Sequence, residues 1–191
     1  ISVDMLNALL TKVDLEPKYI EGYWPETLNN IENNRGVDIL PVVARTPERE
    51  EIMYLTSDYL TFPIVIFNQK NAPFISGIDD LTGLNVAVED SYVTHYTLLN
   101  EYPEINLLVT ETTLEALQAV STSKADAYIG NLAVGSYLIQ EHGLVNLKVA
   151  APSNLPDSAL AIGIRRDWPE LASILEKALA AMPEESKSQI E

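Results

Sequence analysis

Arg49 is the residue of this sequence best suited to hold an anion. It follows Thr46, Pro47 and Glu48. A guanidinium presents a rigid fork of N–H donors that can grip a carboxylate through two parallel hydrogen bonds. The spacing also allows a solvated ion pair with Glu48 or Glu50, so both roles stay open. Thr46 stands before a Pro-Glu pair, which indicates a helix N-cap whose hydroxyl accepts from the backbone.

Two other segments carry groups that can contact a small molecule. Ser91 and Tyr92 lie in a loop that enters a predicted helix, where backbone N–H groups can meet an anion. Ser91 could equally be the N-cap of that helix. Tyr23 and Trp24 precede another predicted helix and can form an aromatic wall for a ligand or pack as a staple on their own domain. Each binding role therefore has a structural alternative.

Enzymatic and metal chemistry is not predicted. His95 and His142 are the only histidines, and neither has the spacing of a metal ligand or a catalytic base. The sequence contains no cysteine, which excludes a thiolate nucleophile and a zinc–thiolate site. It also lacks nucleophile motifs and phosphate-binding glycine loops. We therefore expect a domain without catalytic residues, metal or other cofactor.

The charge balance argues against a nucleic-acid partner. The chain has 28 acidic and 12 basic residues, for a formal net charge of −16, which repels phosphate backbones. Hydrophobic residues make up 47% of the chain and charged residues 21%, as in an ordinary globular domain. No apolar run approaches the roughly 20 residues that cross a bilayer.

The first part of the chain alternates helices and strands. Apolar residues at helical spacing predict a helix at 5–13, and the pattern then predicts a strand at 18–20. Pro25 is suited to the first turn of a helix at 25–33. The apolar run 37–43 is typical of a buried parallel strand.

A second series of elements repeats this order. The spacing of apolar residues and the local composition predict strands at 84–88, 105–110 and 127–129, and helices at 94–101 and 114–120. The repeat predicts an α/β fold of two similar lobes, each an open sheet with flanking helices.

Two β-rich segments, 59–67 and 159–164, can carry the chain from one lobe to the other and back. The last predicted helix, 171–181, would pack on the first lobe. Two crossings between open α/β sheets leave a cleft at the strand ends, where ligands bind in such folds. The expected organisation is lobe 1 at 1–67, lobe 2 at 68–151, and a return crossover with the rest of lobe 1 at 152–191.

Four segments follow the pattern of a known family. They are 37–39 (Val-Asp-Ile), 46–49 (Thr-Pro-Glu-Arg), 55–59 (Leu-Thr-Ser-Asp-Tyr) and 80–88 (Asp-Leu-Thr-Gly-Leu-Asn-Val-Ala-Val). In them the chain resembles the type II periplasmic solute-binding proteins, the bacterial Venus flytrap of extracellular solute-binding family 3. The resemblance covers nearly the whole chain, and it implies that the family's first strand precedes Ile1.

The resemblance also implies roles for particular residues. In the amino-acid-binding members, an Arg at the position of Arg49 holds the α-carboxylate of the ligand. The family often has Ser or Thr at the position of Ala44, so one contact of that clamp is missing here. Asn131 stands where those members carry an Asp that pairs with the α-ammonium, and an amide lacks that charge. A turn-capping role for Asn131 after Gly130 stays open.

Residues 125–133, 136–139 and 182–185 are most similar to the family members fused to sensor histidine kinases or diguanylate cyclases. This implies an extracytoplasmic sensor domain that binds a small polar, carboxylate-bearing or amino-acid-like solute by lobe closure. It also implies a periplasmic location, a membrane tether in the full-length protein, and a homodimer as one assembly it could form.

Three alternatives share the fold. The chain could be the soluble substrate-binding subunit of an ABC transporter, with the same site and no tether. It could be a dehydratase-like enzyme, although this needs a titratable acid where Asn131 stands. It could be the effector domain of a transcription regulator, although the sequence shows no helix-turn-helix.

Overall fold

A computed structural model describes residues 1–183; Glu184 and Glu185, part of the predicted receptor-like ending, lie outside the described residues. The helices are α1 (Ser2–Lys12), α2 (Trp24–Glu32), α3 (Pro47–Ile52), α4 (Val93–Glu101), α5 (Thr113–Ser121), α6 (Leu132–Glu141) and α7 (Pro169–Ala180). The strands are β1 (Ile39–Ala44), β2 (Met53–Leu55), β3 (Leu60–Phe62), β4 (Ile64–Gln69), β5 (Asn85–Glu89), β6 (Asn106–Thr110), β7 (Ala127–Asn131), β8 (Leu147–Pro152) and β9 (Ser158–Arg165).

The chain divides into two compact units. Unit 1 is Ile1–Thr61 with the described residues from Ala159 onward, and unit 2 is Phe62–Ser158. The chain thus passes between the units twice, after Thr61 and after Ser158. Strand β4 belongs to unit 2 because both of its partners, β7 and β8, lie there.

Unit 1 is built on a four-stranded sheet whose central strand is β9. Strands β1 and β2 flank β9 and run antiparallel to it, and β3 also pairs with β9. Helix α1 contacts β1 and α7. Its apolar residues Met5, Leu6, Leu9 and Leu10 are buried, as helical spacing requires for one face of an amphipathic helix.

Two predictions for unit 1 are wrong. The segment 18–20 forms no strand; Tyr19 and Ile20 are exposed, and the Tyr19 hydroxyl lies 2.8 Å from Oδ1 of Asn7 in α1. The β propensity of a short run depends strongly on its tertiary context, so propensity alone does not make it a strand. The strand predicted at 37–43 exists as β1, but it pairs antiparallel with β9 and not parallel. An apolar run indicates that a strand is buried, and it does not determine the direction of the neighbouring strand.

Unit 2 is built on a five-stranded sheet of order β6-β5-β7-β4-β8. Strands β6, β5 and β7 are parallel, whereas β4 runs antiparallel to both β7 and β8. The helices predicted at 94–101 and 114–120 are present as α4 and α5. Apolar residues fill both faces of this sheet: Ile66, Val86, Val88 and Ile129 on one, and Phe67, Ala87, Leu117 and Tyr128 on the other.

The parallel pairing of β5 with β7 determines where polar groups gather. Val86 lies opposite Ala127 and Ala87 opposite Tyr128. The carboxyl ends of the two strands therefore meet at the same edge of the sheet. The loop after β5 and Asn131 at the end of β7 both belong to this edge. Among the described residues, no helix is long and apolar enough to span a membrane.

Candidate functional site

Arg49 is held by its own unit and is not a solvated surface residue. It lies in α3, its side chain is buried at 7% exposure, and Nη1 donates to the carbonyl oxygen of Ala44 at 2.7 Å. The guanidinium carbon lies 5.4 Å from the centroid of the Trp24 ring, within the range of a cation–π contact. Of the two glutamates that the spacing offered as partners, Glu50 pairs with Arg45, and the charge of Arg49 contributes to lowering the pKa of Glu48, after that carboxylate's hydrogen bonds.

Trp24 and Tyr23 are positioned by the start of α2. Tyr23 is the N-cap of α2 and Trp24 its first residue. Trp24 packs against the apolar cluster that contains Ile31 and Met53. The staple alternative is therefore confirmed for Trp24, but the same ring also faces Arg49. The structure thus brings together an aromatic ring and a buried guanidinium that lie far apart in the sequence.

Thr46 and Ala44 shape the backbone around Arg49. The Thr46 hydroxyl accepts from the backbone N–H of Arg49 at 3.3 Å, so Thr46 is the N-cap of α3. This confirms the capping interpretation. Ala44 ends β1, and its carbonyl oxygen fixes one arm of the Arg49 guanidinium. The methyl side chain of Ala44 supplies no polar contact of its own.

A neighbouring arginine has a structural role that the sequence did not reveal. Arg45 forms ion pairs with Glu50 and with Asp58, the latter at 3.4 Å, and Nη2 donates to the carbonyl oxygen of Thr56 at 2.6 Å. These contacts tie α3 to the segment after β2. The hydrogen bond to Glu50 is the main reason that the pKa of Arg45 is raised. Arg49, and not Arg45, is the arginine that contacts the Trp24 ring.

Asn131 caps a helix through one atom only. Its Oδ1 accepts from the backbone N–H groups of Ala133 at 2.9 Å and Val134 at 3.1 Å. Asn131 is therefore the N-cap of α6, so it caps a helix, whereas the sequence left open a turn-capping role. An amide oxygen has two lone pairs, and both have donors here. The groups that the side chain can still offer to a solute are the N–H donors of Nδ2.

The Ser91-Tyr92 loop has a strained backbone at the same sheet edge. Ser91 has a φ of 61°, in the left-handed region that non-glycine residues rarely adopt. Its backbone N–H donates to Nδ1 of His95 at 3.3 Å, and its hydroxyl lies 3.3 Å from Oδ1 of Asp90. The N-cap of α4 is Tyr92, so the alternative that Ser91 caps this helix is wrong. Tyr92 is partly exposed.

A buried polar cluster lies beneath this edge. Glu89 ends β5 at 2% exposure; it accepts from the Thr113 hydroxyl at 2.6 Å and from the Tyr128 hydroxyl at 2.7 Å. Burial raises the pKa of Glu89, and these two hydrogen bonds oppose the rise. Burial and the neighbouring carboxylate also raise the pKa of Tyr128. The cluster joins β5, β7 and α5 directly below the loop and Asn131.

Gly130 is explained by the path of the Tyr128 side chain. A Cβ at Gly130 would lie 1.8 Å from the Tyr128 hydroxyl oxygen. The Tyr128 side chain therefore crosses Gly130 on its way to Glu89, and only a residue without a side chain leaves room for it. No local pattern in the sequence assigns a role to Glu89, because its partners lie 24 and 39 positions away.

The described residues contain no group of His, Cys, Asp and Glu that could hold a metal ion. His95 contacts Asp90, 3.6 Å from Nδ1 to Oδ1, and stacks on Tyr96. The predicted residues thus fall into two groups. Tyr23, Trp24, Ala44, Thr46 and Arg49 lie together in unit 1, and Ser91, Tyr92 and Asn131 lie at one sheet edge of unit 2.

Two α/β units joined by two chain crossings, with polar groups at the carboxyl ends of parallel strands, define the class of two-lobed α/β binding domains. Residues 1–190 match the family model of bacterial extracellular solute-binding proteins, family 3. The chain belongs to this family, and it has the type II periplasmic-binding-protein fold predicted from the sequence.

Curated relatives include sensor proteins much longer than this chain. Virulence sensor protein BvgS of Bordetella pertussis is 26% identical over 158 residues, which are 83% of this chain and 13% of BvgS. Sensor protein EvgS of Escherichia coli O157:H7 is 27% identical over 151 residues, which are 79% of this chain and 12% of EvgS. The chain therefore spans about an eighth of the length of these relatives.

Solved structures with the same fold include a sensor domain and arginine-binding proteins. A histidine kinase sensor domain with similarity to periplasmic binding proteins has a TM-score of 0.91 at 22% identity, over 99% of this chain and 82% of that chain. An ancestral arginine-binding protein bound to glutamine has a TM-score of 0.90 at 17% identity, over 99% of this chain and 84% of that chain. At these identities the likeness establishes the fold.

Proposed function

We propose that this chain is the extracytoplasmic solute-sensing domain of a bacterial signalling receptor. Two findings support this proposal: the family membership of the chain, and the presence of the sensor proteins BvgS and EvgS among its relatives. The sensor would lie in the periplasm, tethered to the inner membrane through other parts of a longer protein, and a homodimer is one assembly it could form. The domain itself binds and does not catalyse.

The observation that carries the binding proposal is the buried Arg49 guanidinium beside Trp24. A guanidinium held by a backbone carbonyl and an aromatic ring is pre-organised, so binding an anion costs little side-chain entropy. In this proposal Arg49 binds a carboxylate of the solute from unit 1. Asn131 and the Ser91-Tyr92 loop contact the same solute from unit 2. A solute with contacts to both units favours the closed state of the domain, and this population shift is the signal.

The first experiment is native mass spectrometry of the purified domain, whose sequence mass is 21.1 kDa. We expect a retained small acid, and titration of the emptied domain with that acid then gives its affinity. Arg49→Lys removes the forked donor while keeping the charge. Because hydrogen bonds to charged groups contribute about 1.5–3 kcal/mol, we expect affinity to fall by roughly 10- to 150-fold.

Arg166 provides a matched control within the same unit. Its guanidinium carbon lies 5.3 Å from the Tyr54 ring centroid, and Nη1 donates to the carbonyl oxygen of Glu50 at 2.5 Å. Arg166→Lys therefore removes the same kinds of contact outside the proposed site, and we expect unchanged affinity. Equal losses in both variants, or unaltered affinity in Arg49→Lys, would contradict the assignment of Arg49.

A soluble transport-type binding protein is the second candidate, and the likeness to arginine-binding proteins favours it. The two candidates share the site and differ in the tether. The complete gene distinguishes them: a membrane span and an output domain after Glu191 indicate a receptor, whereas a signal peptide and a stop codon at that point indicate a transport subunit.

A further inference from the structure

His95 occupies a position at the start of α4 where a capping side chain is common. Tyr92 is the N-cap of α4, so His95 is the third residue of the helix. At this position a Glu or Gln side chain often accepts a hydrogen bond from the backbone N–H of the N-cap. Here Nδ1 of His95 accepts from the backbone N–H of Ser91, one residue earlier, at 3.3 Å. The capping acceptor of this helix is therefore a ring nitrogen that can gain a proton.

The hydrogen bond from Ser91 specifies where the His95 ring carries its proton. A backbone N–H is always a donor, so Nδ1 has a lone pair in this geometry and the ring proton lies on Nε2. Ser91 has a φ of 61°, in the left-handed region that costs a non-glycine residue energy. The hydrogen bond to His95 is one contact that stabilises this backbone conformation.

A second partner for Nδ1 lies beside the first. Oδ1 of Asp90 is 3.6 Å from Nδ1 of His95, which is too far for a hydrogen bond but close enough to attract a charged ring. The His95 side chain is 15% exposed and that of Asp90 37%, so solvent screens this pair only in part. A protonated Nδ1 is a donor, and it cannot accept from Ser91. One nitrogen thus has two mutually exclusive partners, and its protonation determines which of them it can bind.

We propose that His95 is a pH-sensitive switch for the loop after β5. Histidine is the side chain whose ordinary charge change falls between pH 5 and 8. With a neutral ring, Nδ1 accepts from Ser91 and stabilises the loop as it is seen here. On protonation, Nδ1 donates to the Asp90 carboxylate, and the Ser91 N–H loses this acceptor. The switch lies within unit 2, goes beyond the proposed function, and requires no solute.

The other ionisable groups around the ring do not offer the same exchange. On α4 itself, Tyr96 stacks on the His95 ring at a centroid distance of 5.5 Å. Glu89 ends β5, which α4 contacts, but its carboxyl binds two hydroxyl groups on the other face of the sheet. Glu111 follows the residue whose carbonyl oxygen accepts from the Asp90 N–H at 2.9 Å, and it is exposed. Among the described residues, Asp90 is the carboxylate that forms an ion pair with His95.

The test is an NMR titration of the emptied, ¹⁵N-labelled domain between pH 5 and 8. The signals to follow are the backbone amide of Ser91 and the ring nitrogens of His95 and His142. We expect the Ser91 amide and the His95 ring to change together with one midpoint, and Nδ1 of His95 to be the unprotonated nitrogen above it. His142 is the exposed C-cap of α6, so its titration should leave the Ser91 amide unchanged.

Three variants separate the switch from a general effect of pH. Gln is a suitable acceptor at the third position of a helix and does not titrate, so His95→Gln should abolish the pH-dependent change of the Ser91 amide. His142→Gln removes the other histidine and should retain the whole change. Asp90→Asn removes the charge that attracts the protonated ring, so the change at Ser91 should require a lower pH.

Two results would overturn the inference. One is a Ser91 amide that does not follow the His95 ring, or that changes equally in His95→Gln. The other is a proton on Nδ1 of His95 at pH 8, where the hydrogen bond from Ser91 requires a lone pair. The second result comes from the wild type and does not depend on how any variant folds. Neither result involves solute affinity, so the switch and the proposed function can fail separately.

Discussion

Replacing Tyr128 by Phe tests whether the buried Glu89 cluster supports the edge that carries Asn131. The substitution removes one hydroxyl and leaves the ring, which stacks on Phe67 at a centroid distance of 5.5 Å. It removes the 2.7 Å hydrogen bond to Glu89 and leaves Thr113 as the hydroxyl donor to that carboxyl. The apolar packing is unchanged, so the effect should come from the hydrogen bond.

The expected magnitude depends on the charge of Glu89. A hydrogen bond between neutral groups contributes about 0.5–1.5 kcal/mol, and one to a charged group about 1.5–3 kcal/mol. Burial raises the pKa of Glu89 above its ordinary value, so its contribution to stability is fully present below the ordinary carboxyl pKa and is lost as pH rises through the raised value. Without the Tyr128 donor the pKa of Glu89 rises further. The variant should therefore lose more of its free energy of unfolding than the wild type does as pH rises.

We therefore expect Tyr128→Phe to lower the free energy of unfolding by about 1 kcal/mol at about pH 4 and by about 2–3 kcal/mol at about pH 8. Urea unfolding followed by far-UV circular dichroism measures this. Tryptophan fluorescence is the wrong probe, since Trp24 and Trp168 both lie in unit 1. Hydrogen exchange of peptides from β7 would assign the loss to unit 2.

Tyr59→Phe is the matched control for pH. The Tyr59 hydroxyl donates to the carbonyl oxygen of Pro41 at 2.7 Å, and that acceptor does not titrate. We expect a loss of about 0.5–1.5 kcal/mol that is the same at both pH values. If Tyr128→Phe also costs the same at both, its hydroxyl is not supporting a titrating carboxylate and our reasoning about the cluster is refuted.

Two further substitutions probe the same edge. Gly130→Ala should destabilise the domain by about 1–3 kcal/mol, because the added methyl displaces the buried Tyr128 hydroxyl; urea unfolding checks this, and a neutral result would mean that Tyr128 moves freely. Ser91→Val should cost about 1–2 kcal/mol, because a β-branched residue is strained at φ 61°; an equally stable variant would show that the loop relaxes to another conformation.

Local sequence patterns predicted the parts of the structure that depend on local interactions. The Pro-Glu pair after Thr46 identified the N-cap of α3, and helical spacing identified α1 and its buried face. Caps and amphipathic faces are determined within a few residues, so one sequence is enough to find them.

Other features depend on partners that are remote in the chain. The antiparallel pairing of β1 is determined by β9, more than a hundred residues later. The meeting of Arg49 with Trp24 depends on the packing of α2 against the unit 1 sheet. The Glu89 cluster needs α5 and β7 in place. No periodicity or spacing within one segment carries this information, so the role of Glu89 went unnoticed.

The central claim is that one small acid contacts both Arg49 and Asn131. The most direct test is an NMR titration of the ¹⁵N-labelled domain with the retained acid, in which Arg49→Lys and Asn131→Asp identify the Nε–H signal of Arg49 and the Nδ2 signals of Asn131. We expect both sets of signals to shift with the same dissociation constant. If only one set shifts, or the two report different constants, then no single solute contacts both residues and the proposed site is contradicted.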